Sequence, residues 1–153
     1  MVKDIFEKYS VSFQNVIVPQ QLLELGISDA VIEYLSCMGR DLSFYVSPNG
    51  VAATRLYSVK TIMEEASEEY NKPCIENGYL IIGDGANGDL LCVDIQKSTV
   101  GYAYHDDLWE RNFKDFEHIY IHMPITIDAF IEMMLKDESN YPFDGYEAEK
   151  YMD

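Results

Sequence analysis

The stretch YLIIGDGANGDLLCVDIQ, from Tyr79 to Gln96, decides how this chain folds. Tyr79-Leu80-Ile81-Ile82 is a short continuous apolar run, the pattern of a buried strand. Asp84-Gly85-Ala86-Asn87-Gly88 is turn chemistry, rich in residues that tolerate positive φ. Leu90 to Ile95 reads as a second strand, Gln96-Lys97-Ser98 as a second turn, and Thr99 to Tyr104 as a third strand. Strands joined by such short turns run antiparallel, because a parallel pair needs a crossover of about a dozen residues or more. The centre of the chain is therefore a predicted β-meander.

The same stretch contains Gly83-Asp84-Gly85-Ala86-Asn87-Gly88, which satisfies the pattern G-x-G-x-x-G. Dinucleotide binding requires a helix to open after the third glycine, so that its first amides meet the pyrophosphate. Here Asp89-Leu90-Leu91-Cys92-Val93-Asp94-Ile95 follows, and its short span and β-branched residues favour a strand. Asp84 and Asp89 would also set negative charge against a diphosphate. A kinase glycine loop does lie between strands, but no His-Arg-Asp or Asp-Phe-Gly segment accompanies this one. A calcium loop counted from Asp84 fails at its twelfth position, which is Ile95 where a glutamate is needed. The glycines are read as a tight connection.

Working outward, Val2, Ile5, Phe6 and Tyr9 share one face of a predicted short helix over 2–10, and 15–19 is expected to be extended. Ser28 is a good N-cap, Asp29 sits in the first turn, and Ile27 with Ile32 has hydrophobic-staple spacing. Val31, Ile32, Leu35 and Met38 form the expected buried stripe, with Gly39 as the stop. Strands are expected over 42–46 and 51–57, around a turn at Pro48-Asn49-Gly50. Ser58 caps a helix that turns Ile62, Ala66 and Tyr70 inward and ends at Pro73. His118 to His122 is a further strand candidate. Pro124 and Thr126 start a helix from Ile127 to Leu135, with Ile127, Phe130, Ile131, Met134 and Leu135 on its core face. The expected class is α+β, a single domain with a mainly antiparallel sheet packed against several helices. From Asp137 onward six acids face one lysine among Tyr141, Phe143, Tyr146 and Tyr151. A frayed acidic tail and an aromatic segment docked on the domain both fit.

A chain of 153 residues is the size of one ordinary domain, and 48% hydrophobic with 13% aromatic residues supports a real core. Asp and Glu number 27 against 11 Lys and Arg, a formal charge of -16. That field repels phosphate backbones and anionic membranes and favours basic partners. Its other reading is solubility alone. The expected partner is thus a basic protein; direct nucleic-acid and membrane binding are not expected. Cys37, Cys74 and Cys92 form no CxxC pair and sit beside apolar residues, as suits reduced buried thiols in the cytoplasm. MVKDIFEKYS has no apolar export region, and no run approaches the ~18 residues of a membrane span.

Candidate chemistry is sparse. His105-Asp106-Asp107 places an imidazole beside carboxylates, and His118 and His122 would share one face of a strand, so a two-histidine metal site is conceivable. Plain explanations compete: a polar loop for the first group, and histidines bracketing apolar Ile119 and Ile121 for the second. Neither a metal nor a cofactor is expected. No nucleophile elbow, P-loop or HExxH is present, so catalytic residues are not assigned. Trp109, the only tryptophan, follows Asp106-Asp107 and suits an interface anchor or a cover for the core edge.

The stretch from Tyr79 to Gln96, continued from Val100 through His105-Asp106-Asp107, resembles the central motif of the SUKH superfamily, the cell-wall-assembly regulators and bacterial toxin-immunity proteins. The helix from Thr126 is similar to that family's last core helix, and the likeness runs from about Ile27 to Leu135. Upstream the chain departs from the pattern. Gly39-Arg40-Asp41-Leu42 and Pro48-Asn49-Gly50 stand loosely where the family often has Leu-Pro-x-x-Tyr and Asn-Gly-Gly, which bears on the subfamily. The resemblance implies an α+β fold without catalytic residues and, in bacteria, an immunity protein that neutralises a cognate toxin, often a nuclease. The acidic charge independently suits a partner with a basic active site. The expected contact surface combines Asp84, Asp89, Asp106, Asp107 and Trp109. The alternatives are a regulatory adaptor in cell-envelope or other signalling, and an enzyme for a small cationic substrate, which requires a deep pocket with convergent polar groups.

Overall fold

One antiparallel sheet organises the chain. In the computed structural model, which describes residues 1–45, 53–137 and 140–152, the strands pair strictly in chain order. They are β1 (Leu42–Tyr45), β2 (Ala53–Leu56), β3 (Tyr79–Asp84), β4 (Leu90–Asp94), β5 (Thr99–Ala103) and β6 (Tyr120–Thr126). The predicted meander is β3-β4-β5, with Ile81 opposite Cys92 and Cys92 opposite Gly101. Burial is unbroken from Tyr79 to Gly83, from Leu90 to Val93 and from Val100 to Ala103. Successive side chains point to opposite faces, so these strands are covered on both sides. That is why the sequence shows apolar runs here and no alternation.

Around the sheet lie α1 (Val2–Lys8), α2 (Gln20–Leu23), α3 (Asp29–Ser36), α4 (Val59–Ser67), α5 (Lys72–Glu76), α6 (His105–Trp109), α7 (Ile127–Lys136) and α8 (Gly145–Ala148). α1, α3 and α7 pack on one another, α4 and α5 lie against β3, and α8 lies against β5 and β6. The expected caps form: the side chains of Ser28, Ser58 and Thr126 accept from the amides of Val31, Thr61 and Ala129. One core runs through the molecule, with Val31, Leu35, Ile62, Ile82, Leu91, Phe130 and Met134 all buried. The chain is an α+β domain. No helix among the described residues is long and apolar enough to cross a membrane.

Several local expectations are corrected. α3 ends at Ser36, and Gly39 is not its stop; its amide donates to Gln14 O at 2.7 Å, and a Cβ there would overlap that same oxygen. Tyr34 lies fully buried in the stripe, where Ile32 is only partly so. Pro73 does not end the helix capped by Ser58. α4 stops at Ser67, and Pro73 sits in the first turn of α5, where its missing N–H costs nothing. Tyr70 consequently lies on a 3-10 turn, Glu69–Asn71, and points outward. His118 belongs to another 3-10 turn, Phe116–His118, while His122 is on β6, so the two do not share a strand face. α2 was not foreseen; Pro19 at its N-cap is the only signal. Val46, the turn Pro48-Asn49-Gly50 and Val51 lie outside the described residues.

The tail resolves in favour of docking over 140–152. Tyr141 and Ala148 are buried, and the Tyr141 ring meets Phe130 edge-on at 5.8 Å. Its hydroxyl pairs with that of buried Thr54, and the Tyr102 hydroxyl donates to Pro142 O at 2.8 Å.

Candidate functional site

Antiparallel pairing brings the C-terminal ends of β3 and β5 and the N-terminal end of β4 to one end of the sheet. Asp84 closes β3, Asp89 precedes β4, and α6 follows β5 with Asp106, Asp107 and Trp109. All five sequence candidates therefore gather at this end. Their environments differ sharply.

Asp89 is 2% exposed and is not a surface carboxylate. One of its oxygens accepts from the His105 amide at 3.3 Å and lies 2.8 Å from His105 Nδ1. The other accepts from the Gly145 amide at 3.1 Å and from Asn87 Nδ2 at 3.0 Å. Its charge is spent on holding the turn, α6 and α8 together. Asp84 is also largely withdrawn: Arg55 Nη2 lies 2.5 Å from its Oδ2, and the Tyr57 hydroxyl donates to the same oxygen at 2.6 Å. The bond to Asp84 raises the Arg55 guanidinium, while burial and then that carboxylate push the Tyr57 phenol up. Asp106, by contrast, is 80% exposed, with its Oδ1 3.1 Å from His105 Nε2, and Asp107 is half-buried with one oxygen accepting from Asn112 Nδ2.

Trp109 is 43% exposed. Its indole N–H donates to Oδ1 of buried Asn71 at 3.0 Å, and Asn71 Nδ2 in turn donates to the Glu65 carboxylate at 2.9 Å. Tyr70 packs edge-on against the Trp109 ring at 5.7 Å, and His105 does so at 5.3 Å. The ring is thus held by a buried amide and two neighbours while its remaining surface faces solvent.

The glycine turn is occupied by the protein itself. Ala86 N–H donates to Phe143 O at 2.8 Å, Gly85 N–H to Asp89 O, and Gly88 N–H to Gly85 O. A Cβ on Gly85 would come within 2.5 Å of Phe143 O. Of the turn's glycines, Gly88 has positive φ; Gly85 is needed for close approach. The strand β4 opens directly after, with no helix to present amides to a phosphate.

Two concavities flank this turn. One, of about 470 Å³, is walled by Tyr57, Glu65, Tyr70, Asp84 and Trp109. The other, of about 610 Å³, lies between α6 and the C-terminal segment and is walled by Tyr104, His105, Asp106, Asp107, Tyr146 and Glu149. Among the described residues no group of three His, Cys, Asp or Glu is placed to hold a metal ion. His122 instead lies 2.6 Å from the Glu117 carboxylate.

Comparisons with family models, with curated proteins and with solved structures found no match to this chain. Sequence reasoning missed Asn71, Glu65, Tyr70, Tyr146 and Glu149. The aromatics of the tail were a usable signal for the last pair. For Asn71 there was none, since its bond to Trp109 spans 38 residues.

Proposed function

We propose that the chain is a non-catalytic binding protein of the immunity type, which occludes a basic toxin domain, such as a nuclease, inside the cytoplasm. The observation that carries this reading is the exposed Trp109–Tyr70 pair, braced from behind by buried Asn71 and set beside Glu65, Asp106 and Asp107. Rigid, partly exposed aromatics anchor protein interfaces, and a surrounding field of one sign steers the opposite charge onto them. The overall charge of -16 supports a basic partner. The SUKH-like pattern of Tyr79 to Gln96 supports the immunity role. Asp89 and Asp84 take part as positioning groups in this reading, and Asp106, Asp107 and Trp109 as contacts.

The test is titration of the full chain against basic toxin domains encoded beside its gene, followed by calorimetry. A stoichiometric complex is expected, with association slowed by added salt. Trp109→Ala is expected to weaken it by at least about 30-fold, roughly 2 kcal/mol. Absence of any complex across the panel, or a complex indifferent to Trp109→Ala, would sink the reading.

A further inference from the structure

The docked C-terminal segment builds surface as well as core. Tyr146, on α8, is 67% exposed, and its ring lies 5.5 Å from that of Tyr104 at a tilt of 47°. Glu149 follows α8 and accepts from the Tyr104 hydroxyl. Across the opening, α6 contributes Asp106 and Asp107. No lysine or arginine is among the described residues lining this 610 Å³ cavity. Lys150, nearby in sequence, is paired with Glu147 at 2.7 Å. Ring faces alone suit any planar group, and carboxylates alone suit any cation. The two together select a planar cation that stacks and forks its N–H donors at once, which describes a guanidinium and not an ammonium.

We propose that this cavity is a socket for an arginine side chain of the basic partner, and that the C-terminal segment is its necessary wall. The guanidinium stacks on Tyr146 and donates to Asp107 and Glu149, with Asp106 at the mouth. The proposal rests on the binding reading above and names the partner group that enters this part of the surface. It also gives the buried Asp89–Gly145 bond a purpose, since that bond holds the start of α8 against the glycine turn.

The experiment is an NMR titration of the isotopically labelled full chain with N-acetylarginine amide at physiological salt, with N-acetylglutamine amide as the neutral control. Saturable shifts are expected at Tyr104, His105, Asp107, Tyr146 and Glu149, absent with the glutamine compound and several-fold weaker with N-acetyllysine amide. Tyr146→Ala and Asp107→Asn are each expected to weaken binding at least fivefold while unfolding at the wild-type temperature. Shifts scattered over remote acids such as Glu64 and Glu68, or equal affinity for the lysine amide, overturn the socket. So does undiminished binding by Tyr146→Ala or Asp107→Asn. A toxin-domain complex that ignores both of these variants but is lost in Trp109→Ala would remove the socket and leave the broader reading standing. Failure to form any complex removes the broader reading itself.

Discussion

Asp89 joins three parts of the chain through two oxygens: the glycine turn, α6 by way of His105, and α8 by way of Gly145. Removing the carboxylate leaves buried amide donors without acceptors, which costs more than the net value of the bonds lost. Asp89→Ala is therefore expected to lower stability by about 2–4 kcal/mol in urea titrations. It should also speed hydrogen exchange at Gly145 ahead of the core strands, because the tail loses its tether. Asp89→Asn keeps an acceptor and is expected to recover part of the loss. A substitution without effect on Gly145 exchange would show that the aromatics alone hold the tail. In sequence this aspartate was indistinguishable from its neighbours Asp84 and Asp106. Nothing local distinguishes a carboxylate that will be buried from one that will stay in water.

At the scale of elements, the parts legible in sequence were those stabilised by local chemistry. Ser28, Ser58 and Thr126 were readable as caps because the bond they make is three residues away. The meander was readable because short turns leave only antiparallel pairing. α6 was not, since a five-residue helix has little propensity of its own and is held through His105 and Trp109 by distant partners. Pro73 misled in the opposite way, as a residue that ends one helix serves equally in the first turn of the next. The link between α6 and the 3-10 turn Glu69–Asn71 gives a direct prediction. Asn71→Ala is expected to release the indole, shifting the emission of this single tryptophan to longer wavelength and costing about 1–3 kcal/mol. Unchanged emission would mean that Tyr70 and His105 suffice to seat the ring.

The whole molecule responds to alkali through its tyrosines. Burial pushes Tyr79 up to about 12 from an ordinary value of 10.0. It pushes Tyr34, Tyr57, Tyr102 and Tyr120 up as well, burial being the largest cause in each. The folded chain thus keeps protons that the unfolded chain gives up, so stability falls as pH rises. The contribution of Tyr79 is complete below a pH of 10 and is lost as pH climbs through about 12. Urea midpoints measured from about pH 8 upward should hold level and then fall steeply beyond about pH 10, in step with phenolate absorbance. A midpoint that stays level while the phenols titrate would contradict this. By itself the sequence determined the α+β class, the meander, the capped helices and the acidic field, because each follows from neighbours in the chain or from composition. Only the tertiary structure decided which carboxylates stay exposed and that the tail docks beside them. Those outcomes depend on groups brought together from 16, 38 and 56 residues apart, and burial at that range has no local signature.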